Sequence, residues 1–174
     1  TYVLNPPTVA SLPVRGKTER FPVNRIFCVG RNYHAHAAEM GKSVDKSKDR
    51  PFYFTKSPSA LCPSGATVAY PSETKNYHHE MELVVALHRG GLRVKAADAH
   101  HLIYGYATGL DMTRRDLQSA AKEKGLPWDV AKDVEHSAVC TEVVPMPGVV
   151  LDKGAITMSI NGVVKQNSTI DKLI

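Results

Sequence analysis

Apolar and polar positions along the chain follow a period of two over short runs more often than a period of 3.6. That pattern predicts strands more often than helices. EMELVVALH, Glu80 to His88, alternates at its start and then runs apolar, which predicts the strongest strand. Arg25 to Val29 predicts a short buried strand, and Phe52 to Lys56, Thr67 to Tyr70 and Leu102 to Leu110 predict three more. Ile156 to Ile160 and Val163 to Lys165 flank Asn161-Gly162, the dipeptide of a tight hairpin turn. Helical pattern covers Tyr33 to Met40 (ended by Gly41), Ala96 to His101, and Arg114 to Lys124 (stopped by Gly125), with a further helix start from Thr169.

The expected fold is therefore mainly β with short helices, an α+β arrangement whose sheet is antiparallel or mixed. Residues 1–24 hold Pro6, Pro7, Pro13 and Pro22 and read as an extended lead-in arm without a core element. Residues 25–174 read as one catalytic domain. KSVDKSKDR, Lys42 to Arg50, is a solvated charged loop and the expected lid. A sheet made of these strands lacks closure, so either the fold continues beyond Ile174 or a partner chain covers the edge.

The chain has 174 residues, 43% of them hydrophobic, which excludes a disordered tail. No apolar run nears the about 20 residues that span a bilayer. The opening TYVLNPPTVASLPV has no charged stretch ahead of an apolar one, which argues against a secretory leader. Cys28, Cys62 and Cys140 are isolated and odd in number, which fits a reducing, cytoplasmic compartment. The net charge of +5 is scattered rather than blocked. It suits an enzyme attracting a small anion better than a nucleic-acid module, and no nucleic-acid or membrane partner is expected. No phosphate-binding glycine loop and no GxSxG nucleophile motif occurs.

Four groups of residues carry candidate chemistry. Glu80 and Glu82 share one face of a strand, and Asp111 ends the next long strand. Three converging carboxylates suit Mg²⁺, Mn²⁺ or Ca²⁺; otherwise the two glutamates line an exposed face. Zinc held by His78 or His79 with Glu80 would need nitrogen ligands from other segments. His36 and Glu39, at i and i+3 of a helix, form a base-and-orienter pair or a surface pair. In DMTRRDLQ, Arg115 and Gln118 lie at i+4 and i+7 from Asp111 and would face the same pocket, with Arg gripping a carboxylate. Lys132 beside a metal site would bind an anion or an enolate oxygen; away from one it is a surface lysine.

Six segments fall into one pattern: CVGRNYHAHAAEMG, FTKSPSAL, HHEMELVVAL, YGYATGLDMTRRDLQ, GLPWDVAK and the NG…Q turn from Asn161 to Gln166. In that order and spacing the chain resembles the fumarylacetoacetate hydrolase family. Within that family it looks like the bacterial members that split fumarylpyruvate in gentisate degradation. The resemblance implies a mixed β-sandwich or roll, a homodimer, and an additional C-terminal part with further strands and a Gly-Thr-Pro stretch that helps bind the substrate carboxylate. It implies a metal site at Glu80, Glu82 and Asp111, and a water-activating dyad at His36 and Glu39. Arg31, Arg115 and Gln118 would bind substrate, and Lys132 would act in catalysis. The implied reaction is metal-dependent hydrolysis of a C–C bond in a 2,4-dioxo acid, fumarylpyruvate giving fumarate and pyruvate. Oxaloacetate decarboxylation or dienoate isomerisation or hydration on the same scaffold is the alternative.

Overall fold

The computed structural model describes residues 1–32 and 50–173. His36, Glu39, the expected helix Tyr33 to Met40 and all of the expected lid except Arg50 lie outside the described residues. Strands outweigh helices in the regular structure of the described residues. The strands are β1 (Ser11–Pro13), β2 (Arg20–Pro22), β3 (Ile26–Gly30), β4 (Phe52–Lys56), β5 (Leu61–Pro63), β6 (Tyr77–His78), β7 (Met81–Leu87), β8 (Ile103–Asp111) and β9 (Thr113–Arg114). Helices α1 (Arg115–Glu123) and α2 (Asp129–Lys132) follow, then β10 (Ala138–Cys140), β11 (Val144–Pro145), β12 (Ala155–Ile160) and β13 (Val163–Thr169). No helix among the described residues is long and apolar enough to cross a membrane.

The main sheet has five strands built around β8. β7 lies antiparallel on one side, with Met81 opposite Leu110 and Glu82 opposite Gly109. β10 and β11 share the other side, both antiparallel, and β10 in turn pairs parallel with β5. The sheet is thus mixed, as the pattern predicts. Gly105 is required for this approach: a Cβ there would fall 2.1 Å from the Val144 carbonyl oxygen. β12 and β13 form the predicted hairpin, with left-handed φ of 50° at Asn161 and 79° at Gly162. α1 stops at Lys124, where Gly125 takes a φ of 63°. Its amide reaches Lys122 O, and the Leu126 amide reaches Ala121 O, closing the helix end.

Three expectations are corrected. Residues 1–24 do contain a core element: Leu12 and Val14, at the β1–β2 hairpin, pack with Ala86 and Val143. Leu12 has the spacing to enter a core despite the surrounding prolines, because β1 needs only three paired residues. β3 forms as predicted but is not buried, with Phe27 59% exposed. Thr67 to Tyr70 is not a strand, since among the described residues no strand pairs with it to take its backbone groups. The expected short helix at Ala96 forms as a 3-10 helix, Ala96–Leu102, that leads directly into β8.

Candidate active site

Glu82 on β7, Asp111 on β8 and Glu80 beside them supply the three carboxylates. Glu80 lies one residue ahead of β7, and its carbonyl accepts the Asp111 amide at 2.8 Å, so pairing extends past the strand end. Asp111 closes β8 and is buried. From the opposite direction α2 delivers Lys132, which is 2% exposed. The Lys132 Nζ donates to Glu80 Oε2 at 2.8 Å, Asp111 Oδ2 at 2.8 Å and Thr113 Oγ1 at 2.7 Å. The Phe54 ring lies 4.8 Å from the same ammonium. In the first turn of α1, Arg115 donates to Glu80 Oε1 at 2.5 Å and to Gln118 Oε1 at 2.5 Å.

Glu80, Asp111, Arg115, Gln118 and Lys132 are therefore brought together. The route differs from the expected spacing. Asp111 is on a strand, β9 intervenes, and α1 begins only at Arg115. Arg115 joins the cluster by pairing with Glu80 rather than by sharing a helix face with Asp111. Arg31 is not joined to it by any contact among the described residues. Arg31 has a left-handed φ of 57°, and its guanidinium stands 5.8 Å from the Phe52 ring centre. His78 Nε2 pairs with Asn76 Oδ1 at 2.7 Å. Asp116 ties α1 to the segment ahead of β6, accepting from the Thr74 hydroxyl at 2.6 Å and the Lys75 amide at 2.8 Å.

Sequence reasoning missed Lys56. It is 3% exposed, pairs with Asp111 Oδ1 at 3.0 Å, and donates to the Met112 carbonyl at 3.1 Å and to the Lys132 carbonyl. Each Asp111 oxygen therefore has its own ammonium. The available signal was a lysine inside the aromatic strand FYFTK, a position where a charge needs a buried partner. Thr113 and Ser137, both fully buried, were missed as well; Ser137 Oγ donates to Lys132 O at 3.0 Å.

Electrostatics separate the three carboxylates. Glu80 has Arg115 and Lys132, and Asp111 has Lys56 and Lys132. Glu82 has no ion-pair partner among the described residues. Burial first, and then the charges of Glu80 and Asp111, push its carboxyl from 4.5 up to about 8. Burial pulls the Lys56 ammonium down, opposed by Asp111. Burial also holds the Cys28 thiol up at about 12, far from a reactive thiolate.

The donor chemistry fits a divalent cation: three carboxylates, of which Glu82 has no ion-pair partner among the described residues. Among the described residues no three His, Cys, Asp or Glu side chains close a coordination shell. The Lys132 ammonium bridges Glu80 and Asp111 there.

The sequence from 25 to 174 matches the family model described as fumarylacetoacetate (FAA) hydrolase, C-terminal. The chain belongs to the fumarylacetoacetate hydrolase family. It is 62% identical over 135 residues to a fumarylpyruvate hydrolase from Ralstonia sp, covering 78% of this chain and 70% of that protein. It is 37% identical over 150 residues to a human mitochondrial oxaloacetate tautomerase, covering 86% of this chain and 66% of that one. Among solved structures, the fumarylpyruvate hydrolase of Pseudomonas aeruginosa in complex with Mn²⁺ and pyruvate superposes with a TM-score of 0.92 at 42% identity. That match covers 99% of this chain and 76% of the other.

Proposed function

We propose that the protein is a divalent-metal-dependent C–C hydrolase that splits fumarylpyruvate into fumarate and pyruvate. The observation that carries this reading is the ion-paired cluster of buried Asp111 and Lys132 with half-buried Glu80 and Arg115, in a chain 62% identical over 135 residues to a fumarylpyruvate hydrolase. Residues 25–174 form the catalytic unit and residues 1–24 the lead-in arm; the family match beginning at residue 25 supports that division.

Glu80, Glu82 and Asp111 would hold the ion, Mg²⁺ or Mn²⁺. When bound, it supplies Lewis acidity to the 2-oxo acid end of the substrate. Lys132 and Arg115 offset the negative charge of the substrate and of the enolate left after bond cleavage. Arg115 does so with a planar guanidinium already oriented by Gln118, and Gln118 can donate its amide to a keto oxygen. Arg31 grips a substrate carboxylate. His36, oriented by Glu39, takes the proton of the water that attacks the distal keto carbon.

The protein works as a cytoplasmic homodimer. The β3–β4 pair supports dimerisation, because it exposes Phe27, Val29, Phe52 and Tyr53 on one small sheet. Light scattering should give twice the chain mass.

Assaying fumarylpyruvate with Mn²⁺ or Mg²⁺, and again with EDTA, tests the reading. Pyruvate and fumarate formed only with the metal are expected; no turnover with either metal would sink it. A second reading has one observation in its favour, the similarity to oxaloacetate tautomerases. An enolate-forming reaction on oxaloacetate that outpaces fumarylpyruvate hydrolysis would select it.

A further inference from the structure

One residue of the NG…Q turn has a geometry that the reaction as proposed does not use. Gln166, on β13, accepts the Met81 amide through Oε1 at 2.9 Å and donates Nε2 to the Met81 carbonyl at 2.8 Å. A single side-chain amide thus satisfies both backbone groups of one residue, as a neighbouring strand would. The position is specific. In an antiparallel pair, alternate residues turn their N–H and C=O toward the partner. The Glu80 carbonyl faces β8, where it takes the Asp111 amide, so Met81 faces away, at the other edge of β7. That residue lies between Glu80 and Glu82.

The hairpin is shaped to deliver this amide. Its register runs Met158 opposite Gln166 and then Ser159 opposite Val164, which inserts Lys165 as an extra residue immediately before Gln166. Such bulges re-aim the side chains beside them. Three carboxylates at one end of β7 and β8 repel one another, and a frayed strand end would let them part. Clamping Met81 at two points fixes the backbone from which both glutamates project.

We infer that Gln166 is a positioning residue that sets the spacing of Glu80 and Glu82 for a divalent cation. This rests on the metal seat proposed above. Gln166 touches neither substrate nor ion; it acts through the Met81 backbone.

The test is the Mn²⁺ dissociation constant of the purified protein, measured by calorimetry after chelation and dialysis, alongside the melting temperature. Gln166→Leu removes both bonds at similar volume and should weaken Mn²⁺ binding about 10- to 100-fold, the usual loss for a partner that orients ligands. Gln166→Glu keeps the acceptor for the Met81 amide and should fall between Gln166→Leu and the unsubstituted protein. Val164→Ala, an exposed position on the same hairpin, should leave the constant unchanged. A Gln166→Leu constant within about twofold of the unsubstituted value would overturn the inference, whatever the melting temperature does. If the leucine variant does not fold, an unchanged constant in Gln166→Glu overturns it equally. Failure of the unsubstituted protein to bind Mn²⁺ defeats the metal seat and the inference together. Mn²⁺ binding that responds to Gln166 without fumarylpyruvate turnover defeats only the assigned reaction.

Discussion

The two ends of the β7–β8 ladder are buried in opposite ways. At one end, Ala86 packs with Leu12, Val14 and Val143, a core of small apolar side chains. At the other end Glu80 and Asp111 meet Lys56, Lys132 and Thr113. Among the described residues, Lys132 is the largest side chain with almost no exposure. An apolar contact is replaceable by another of similar volume, and its loss costs transfer and cavity energy. A buried charge depends on its particular partner, and its removal strands the charge that remains. Two neighbouring stretches of one sheet therefore differ in tolerance: the apolar end accepts change gradually, and the polar end does not.

The largest expected effect follows at the polar end. Lys132→Met leaves Glu80 and Asp111 short of positive charge and should lower unfolding free energy by about 3–5 kcal/mol. Urea titration checks it, and adding Asp111→Asn should restore part of the loss. A cost below about 1 kcal/mol would erase the contrast between the two ends. Leu12→Ala, at the apolar end, should cost about 2–3 kcal/mol in the same titration while leaving turnover intact.

A third expectation concerns pH. Glu82 has a folded pKa of about 8 against an ordinary 4.5, so the folded chain favours the protonated form. The stability this contributes is fully present below pH 4.5 and lost as pH rises through about 8. The chelated protein should therefore melt at progressively lower temperature between those values, and Glu82→Gln should flatten the slope. A slope unchanged by Glu82→Gln would mean that the polar end does not strain its third carboxylate. The smallest effect is expected away from both ends. Gly125→Ala meets no neighbour but must hold a φ of 63°, and should cost about 1 kcal/mol with no change in activity.

Much of the apolar framework was legible in the sequence, because β7, β8, α1 and the Asn161-Gly162 hairpin each carry a strong local signal. The carboxylates Glu80 and Asp111 were legible too, as residues at the ends of adjacent strands. Lys56 and Thr113 were not. Lys56 carries only the faint local signal of a charge in an aromatic strand, and Thr113 carries none; their burial comes from β4, β9 and α2 meeting around Asp111, which is a property of tertiary packing. Leu12 was hidden by the prolines near it, and Thr67 to Tyr70 misled through strand propensity without a partner strand. His36 and Glu39 lie outside the described residues and stand on helical spacing and motif resemblance.

Lys56 and Lys132 are 3% and 2% exposed, whereas Lys17 sits on the surface. An amine-acylating reagent meets Lys17 directly but reaches the two buried amines only when that end of the sheet opens. Under excess reagent the ratio of their labelling to that of Lys17 becomes a clock for local opening, readable by mass spectrometry in the intact protein.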